Sequence, residues 1–443
     1  MRILVCGINY APDLIGVAKY NTELCEALSS LGHEVRVITA PPYYPAWQIP
    51  SGYGRWTYRS EMRHGVQVTR VPIYVPQKPN GLKRLLHHGS FALLSTPSLV
   101  KAALRWRPQL IFAVAPSLMS SALIPALARK IGAVSWLHLQ DFEIDAAFGL
   151  GFLSSERLKD SMREIEHQIF CSFDRVSSIA PAMLQRLAEK GVLPIRIREL
   201  RNWTDVSSIV PAGRMTKLRA ELGLDDSQVV ALYSGSMSDK QGLELIIKAA
   251  RQLKSTSPDI SFILCGDGPR KTTLEAEAAQ LRTVRFIELQ PERRLAELLN
   301  TADIHLMPQR AEAADLVLPS KLGGILASGR PVIAMAAPET GLAKEIEGAG
   351  VLVPPGDAPA LAAALHSLAA QPETRGVLGA NARRRALERW DRSAIIGRIE
   401  AEFKDLCEKP EVVLETTRKP VIDERRGRLQ AHLEGGKSLQ GRG

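Results

Sequence analysis

Two glycine-bearing turns and one proline-initiated helix start hold the residues best suited to grip a phosphate. The first turn runs Tyr233-Ser234-Gly235-Ser236-Met237-Ser238-Asp239-Lys240-Gln241-Gly242, and the second is Cys265-Gly266-Asp267-Gly268-Pro269. Each follows an apolar run and precedes a helical pattern, so glycine lets a ligand approach the backbone while the helix start offers N–H donors and partial positive charge. Lys240 adds a full charge. Farther on, Pro319-Ser320-Lys321 opens another helix, where a hydroxyl, an ammonium and free N–H groups can converge on one diphosphate. Ser320 as a plain helix cap satisfies the same pattern. A third cluster, His138-Leu139-Gln140-Asp141-Phe142-Glu143-Ile144-Asp145, follows a buried-strand pattern. His138 and Asp141 are expected to face a cleft, accepting hydrogen bonds from hydroxyls and receiving a proton, while Lys240 and Lys321 stabilise a departing diphosphate. A core role for His138 and a two-carboxylate hydrolysis stay open.

The elements that must position these groups alternate. Ile3–Cys6, a helix from about Val17 to Leu31 and the strand Val35–Ile38 form a β-α-β unit, with Gly32 stopping the helix. Apolar β-branched runs recur at 66–75, 110–115, 133–139 and 176–180, separated by helical stretches near 82–106, 117–131, 155–170 and 181–190. The regularity breaks at Asn202-Trp203-Thr204-Asp205 and restarts with strands at 229–233, 262–265, 284–287, 304–307 and 331–334, joined by helices near 242–254, 270–281, 292–300 and 320–328. Alternation of this kind gives parallel sheets covered on both faces. The fold class is therefore α/β, two Rossmann-like doubly wound domains facing a central cleft, the default ligand site. The expected units are residues 1–205, 206–389, a helix over 390–407 and a charged, Gly-rich tail over 408–443 that should be disordered.

With 443 residues, 45% of them hydrophobic and 23% charged, the chain is long enough for two substantial cores and is neither collagen-like nor globally disordered. Its five scattered cysteines show no CxxC pair, which disfavours a zinc ribbon or disulfide framework and fits a reducing cytosol. No signal-peptide pattern precedes the first strand. The stretch from Leu110 to Ala128 is broken by Pro116 and Pro125 and reads as a buried strand and helix, not a membrane span. Net charge is +10, and residues 51–130 hold 12 Lys and Arg against one acid, Glu61. That imbalance calls for an anionic partner. Nucleic acid is disfavoured because no zinc finger, RNP-like or helix-turn-helix pattern accompanies the charge. An anionic membrane surface fits residues 82–107, where Lys83, Arg84, His87 and His88 at one end and Lys101, Arg105 and Arg107 at the other flank Leu85, Leu86, Phe91, Leu93, Leu94, Leu99 and Leu104, part of which must pack the domain.

Taken in order, these segments resemble the family 4 glycosyltransferases of GT-B architecture, over about residues 1–405. The resemblance rests on Gly7 to Pro12 with Gly16, on Gly32-His33-Glu34-Val35, on Tyr233 to Gly242, on Gly266 to Pro269, and on Pro319 to Leu322 with Gly329-Arg330-Pro331-Val332. The 138–145 cluster, Lys240-Gln241-Gly242-Leu243-Glu244 and Asp315 to Leu322 are most similar to the subgroup that makes colanic-acid-type exopolysaccharides. Membership implies a retaining, metal-independent transferase without cofactor, working at the cytoplasmic membrane face. It would move a sugar from a GDP- or UDP-linked donor to a polyprenyl-diphosphate-linked acceptor. It also implies donor contacts from Gly235, Ser236, Gln241, Gly242, Gly266, Gly268, Pro269, Asp315, Ser320 and Leu322, and acceptor contacts from Tyr10, Gly16, Glu143 and Asp145. The absence of an Asp-x-Asp motif is compatible with basic side chains in place of a metal ion. Three positions depart from the family pattern. Ser236 replaces an arginine, Gln241 replaces a lysine and leaves Lys240 to take its role, and Gly324 stands where a second glutamate should hold the ribose, with Glu312 or Asp315 left to substitute for the first. A nucleotide-sugar epimerase or a noncatalytic scaffold of the same fold are the alternatives. A dinucleotide dehydrogenase is disfavoured because Cys6-Gly7-Ile8-Asn9 lacks the G-x-G-x-x-G fingerprint.

Overall fold

The computed structural model describes residues 1–13, 16–145, 156–254, 260–310 and 318–408; the side chains of Lys240 and of residues 156–158 are outside that description. Asp315, Glu312 and the tail beyond Glu408 therefore lie outside it as well. The first sheet contains β1 (Arg2–Gly7), β2 (Glu34–Thr39), β3 (Arg59–Arg63), β4 (Val66–Arg70), β5 (Leu110–Ala115), β6 (Val134–Leu139), β7 (Arg175–Ser178) and β8 (Ile197–Glu199). Their order is β3-β4-β2-β1-β5-β6-β7-β8. The second sheet contains β9 (Val229–Ser234), β10 (Ile260–Cys265), β11 (Val284–Ile287), β12 (Ile304–Met307), β13 (Val332–Met335) and β14 (Gly350–Val353), in the order β11-β10-β9-β12-β13-β14.

Both sheets are parallel for the same physical reason. Strands such as β5, β6 and β10 are buried along their whole length, so helices must cover both faces and the connections must cross over. The exception is β3, which pairs antiparallel with β4 at the edge; its sequence Arg-Ser-Glu-Met-Arg carries no apolar run and gave no strand signal. Pro116 and Pro125 do interrupt the apolar stretch after β5, which folds as that buried strand and two short helices, Leu118–Ser121 and Ile124–Ile131. Among the described residues no helix is long and apolar enough to cross a membrane.

In each sheet the chain winds outward one way from a central strand and then returns to wind the other way. The reversals fall between β1 and β5 and between β9 and β12. Crevices beyond the carboxyl ends of strands at such points are where open α/β sheets hold ligands. The chain passes between the two cores twice, at Thr204 and at Asp391, and the passages are bonded to each other: Thr204 N–H donates to Trp390 O at 2.8 Å and Arg392 N–H to Thr204 O at 3.2 Å. The last helix, Arg392–Glu408, returns to the first sheet, where Ile395, Ile396, Ile399, Phe403 and Leu406 join the core of β1 and β5. Phe403 meets Phe112 and Trp136 edge-on, at 5.6 and 5.0 Å between ring centroids. Truncating a fully buried Phe typically costs about 3–5 kcal/mol. Phe403→Ala is accordingly expected to destabilise the first domain by about 3 kcal/mol in urea unfolding, and a loss below about 1 kcal/mol would mean the helix is not integral to that core.

Candidate active site

A cavity of about 430 Å³ opens at the reversal point of the second sheet, lined by the loop after β9, the loop after β12, residues 318–321, and Asn202 from the first passage between domains. Lys321 dominates its electrostatics. The ammonium lies 4.0 Å from the centroid of the Tyr233 ring and 3.4 Å from the Ser234 carbonyl, and among the described residues it forms no ion pair. Burial pulls its pKa down from 10.5 to about 7. Among the described residues this cation is offset by a ring face and a carbonyl dipole and by no carboxylate, which makes the site complementary to an anion. The Tyr233 hydroxyl donates to Ser236 O at 2.6 Å and fixes the loop under which the ammonium sits.

Of the expected donor residues, Gly235, Ser236, Gln241, Ser320 and Lys321 line this cavity. Gly242 does not; it ends the single turn Asp239–Gln241 that contains Lys240 and packs on Arg310. Gly266, Gly268 and Pro269 also fall outside the lining, and the reason is geometric. The second turn braces the first: Gly235 N–H donates to Cys265 O at 2.9 Å, Met237 N–H to Asp267 O at 2.8 Å, and Arg270 N–H to Met237 O at 3.0 Å. A Cβ at Gly266 would stand 1.9 Å from Gly235 O and one at Gly268 2.6 Å from Met237 O, at φ of 151° and 153°. Glycine is required there for backbone contact between turns, not for ligand approach. Leu322 is fully buried in the core, again outside the cavity. A Cβ at Gly324 would face Leu299 and Ile209 at 3.3 and 3.6 Å, so a glutamate at this position would be directed among aliphatic side chains.

The first-domain cluster is arranged differently from expectation. His138 lies within β6, is 2% exposed and does not face the cleft. Its Nδ1 is 2.9 Å from Ser177 Oγ and its Nε2 3.0 Å from Gln140 Nε2, while Gln140 and Asn202 exchange two amide hydrogen bonds of 2.9 Å. Because the Gln140 amide nitrogen only donates, Nε2 is the acceptor of a neutral imidazole, and burial lowers the ring's pKa to about 3. The lone pair assigned to a proton acceptor is already engaged, so His138 positions Asn202 from one layer behind the cavity. Asp141, at the end of β6, is exposed and accepts from Phe142 N–H at 2.8 Å.

Glu143 accepts from Ser117 N–H and from Leu118 N–H, the latter at 2.8 Å, and burial raises its pKa to about 7. Asp145 instead pairs with Lys190 at 3.0 Å and Arg186 at 3.4 Å on the far side of the loop, which corrects its expected role in holding an acceptor. Tyr10 is corrected too. Its ring belongs to the core under β1, and its hydroxyl is buried without a partner and raised in pKa by burial. Gly16 remains exposed at the start of the helix Val17–Ser30. Sequence reasoning missed Asp13 and Tyr43: Asp13 is buried after β1, accepts from Tyr43 N–H at 3.4 Å and is raised in pKa by burial. A polar residue closing the loop after the first strand was the available signal. Asn202 was read only as a break in periodicity.

Two family patterns match the chain in tandem, "Glycosyl transferase 4-like domain" over residues 16–203 and "Glycosyl transferases group 1" over residues 214–385. A relative from Escherichia coli (strain K12), a putative colanic acid biosynthesis glycosyl transferase, WcaI, is 40% identical over 376 residues, 83% of this chain and 91% of its own. The chain belongs to the group 1 glycosyltransferases. Solved structures with the same fold include sucrose-phosphate synthase from Thermosynechococcus elongatus, with a TM-score of 0.69 and 20% identity over 91% of this chain and 98% of that one. Anabaena HepE in complex with UDP has a TM-score of 0.65 and 17% identity over 92% of this chain and all (100%) of its own. This glycosyltransferase is thus a GT-B enzyme, two parallel-sheet domains with a nucleotide-sugar-dependent activity.

The Lys321 environment makes a two-sided prediction for the transferase. Its folded pKa lies below its unfolded value, so the free protein loses stability as pH falls from about 10.5 towards 7, and an uncharged side chain relieves that cost. Lys321→Met should raise the melting temperature of the free protein at pH 7 by about 2–4 °C and lower turnover by about two orders of magnitude. Binding of a nucleoside diphosphate should draw a proton onto Lys321 near pH 8, seen by calorimetry in buffers of different ionisation enthalpy. Wild-type turnover in Lys321→Met would refute the assignment.

Proposed function

We propose that this glycosyltransferase moves a sugar, with retention of anomeric configuration, from a GDP- or UDP-linked donor to a polyprenyl-diphosphate-linked acceptor. The product pathway is that of a colanic-acid-type exopolysaccharide. The observation that carries the reading is the Lys321 ammonium at the reversal point of the second sheet, which among the described residues forms no ion pair and shares a cavity with Gly235, Ser236 and Ser320. Cleavage of the donor bond leaves charge on a diphosphate, which Lys321, Lys240 and the N–H groups around Ser236 and Ser320 would stabilise. With His138 held neutral behind Gln140, Asp141 is the group we assign to the acceptor's proton, and Glu143 and Gly16 to the acceptor side. The ribose, lacking a glutamate at 324, would be held by Asn202 and Ser320, neutral groups at the cavity wall. No metal or cofactor enters this scheme. The relative's name supports the pathway.

Membrane association of the same enzyme is supported by the helix Gly81–Lys101, which exposes Leu82 and Leu86, at 69 and 55%, in its N-terminal half beside Lys83 and Arg84, and Leu93, at 73%, past its midpoint. Exposed leucines at helical spacing next to cations fit an anionic leaflet, where each cation contributes about 1 kcal/mol. Lys101 and Arg105 sit some five turns away, about 30 Å along the helix, and do not extend that surface.

Two measurements test the proposal. UDP or GDP should raise the melting temperature by mass action, and NMR of the product should show the donor's anomeric configuration kept; inversion would overturn the mechanism. Anionic vesicles should co-sediment the protein where neutral vesicles do not, and the combined variant Leu82→Ser, Lys83→Ala, Arg84→Ala, Leu86→Ser should lose this without loss of transfer to a soluble acceptor analogue. Equal binding to both vesicle types would remove the membrane.

A further inference from the structure

The first sheet holds a second cavity, of about 580 Å³, between its β3 edge and the C-terminal end of the helix Gly81–Lys101. The rungs of the sheet explain why it exists. Running outward from the centre, one rung reads Cys6, Ile38, Thr69, Ser60 and the next reads Leu4, Arg36, Gln67, Met62. A sheet face that a helix covers should stay apolar to its edge, because polar side chains buried there lose their water. Here it turns polar two strands from the edge, and the space above it is open.

The groups that line this space share one sign of charge. Arg36, Lys101 and Arg105 all reach it, and no carboxylate is part of its wall. Arg36 is held from behind, its guanidinium 4.2 Å from the Trp106 ring centroid and 3.3 Å from Glu34, which also accepts from Trp106 Nε1 at 2.8 Å. Its Nε is buried and has no protein acceptor. Arg105 and Trp106 are aimed by a π-helical turn, Ala102–Trp106, which ends at Arg107 in a left-handed conformation. Such turns insert one residue into a helix and re-aim the side chains after it. Tyr58 stands at the mouth, half exposed, with its hydroxyl donating to Leu94 O at 2.9 Å and its ring left as a flat surface.

We propose that this cavity is a second, noncatalytic binding site for an acidic saccharide, a sugar unit carrying a carboxylate or a phosphate. Arg36, Lys101 and Arg105 meet the anionic group, Ser60, Gln67 and Thr69 meet the hydroxyls, and the Tyr58 ring takes the apolar face of the sugar. The site lies in the first domain, away from the diphosphate cavity, and does not depend on which donor or acceptor the enzyme uses.

The test uses the full chain and three probes, digalacturonate, glucose 6-phosphate and maltose, followed by saturation-transfer NMR and calorimetry. At least one acidic probe is expected to bind while maltose does not, with affinity falling about tenfold or more in Lys101→Ala/Arg105→Ala. Tyr58→Ala should weaken the sugar but not inorganic phosphate. Thermal stabilisation by UDP or GDP should be unchanged in both variants, which separates this site from the transfer site. Binding of digalacturonate alone assigns the anion as a carboxylate; binding of glucose 6-phosphate alone assigns a phosphate. Equal binding of maltose, no binding of either acidic probe at millimolar concentration, inorganic phosphate as tight as the sugars, or unchanged affinity in the double variant would each overturn the proposal.

Discussion

A half-buried lysine ammonium that forms no ion pair among the described residues is the constraint around which the second domain is organised. Placing Lys321 there opposes folding, since desolvation favours the neutral amine. It does so where the sheet reverses direction and the loops after β9 and β12 shape the backbone around the cavity. Tyr233 lies beneath the ammonium, the loop after β9 is pinned by the tyrosine hydroxyl, and the loop after β10 is zipped to it through glycines that admit no side chain. An anion entering the cavity supplies the missing half of an ion pair whose geometry is already set. Preorganisation of that kind is what makes a charge effective when a leaving group departs, because the reorganisation has been completed during folding.

The second constraint is the pair of chain crossings at Thr204 and Asp391. Joined by backbone hydrogen bonds, they form a short double strap, and Glu345 is the buried anion that organises the contacts beside it. Its carboxylate takes Trp390 Nε1 at 2.7 Å and lies 3.3 Å from both Arg201 and Arg389, so one side chain ties the strap to the second domain. On the other flank Trp203 donates to Glu23 at 2.6 Å and meets Tyr20 edge-on. Asn202, one residue before this anchor, is thereby fixed at the cavity wall and linked through Gln140 to His138. The strap thereby sets the position of the cavity-wall residue that links the two domains.

Much of this was legible in the sequence because parallel strands must be apolar on both faces, and β5 and β9 read as uninterrupted apolar runs at Leu110–Ala115 and Val229–Tyr233. The edge strand β3 and the short strands β8 and β14 were not legible, since three to five residues at a sheet margin carry no pattern. Among site residues, Ser320 and Lys321 could be read from a proline followed by a helix start. Gly266 and Gly268 were misplaced because the sequence shows that glycine is needed but not whether a ligand or a neighbouring turn occupies the space. His138 was misread for a related reason: a histidine at the end of a buried strand faces the cleft or the layer behind it depending on one step of side-chain alternation. Tyr10 was placed by resemblance alone, and its position in the loop after β1 could not show that its ring turns into the core.

The excess of basic residues between 51 and 130 shows most clearly where composition stops being informative. Read as a total, twelve cations against one acid call for a single anionic partner. In the folded chain they separate by role. Arg70 is buried and bonds to Glu61 and to the carbonyls of Ala40 and Ala11, Arg63 pairs with Glu26, and Arg59 donates to the Gly52 carbonyl, so these three hold the edge of the sheet. Arg129 and Lys130 occupy the last turn of the helix Ile124–Ile131, where they meet the negative end of its dipole. Apart from Arg55, Lys78 and Arg107, what remains is two groups at opposite ends of one long helix, Lys83 with Arg84 beside exposed leucines, and Lys101 with Arg105 over a polar cavity. A helix of 21 residues is too long for one compact ligand to engage both ends, and the leucines exposed beside Lys83 and Arg84 contrast with Ser60, Gln67 and Thr69 beside Lys101 and Arg105, where Leu104 is the exposed apolar residue. Two clusters of the same sign at the ends of one helix thus have different surroundings, exposed leucines at the first and polar sheet residues at the second, and so support separate proposals, an anionic surface for one and a small acidic ligand for the other.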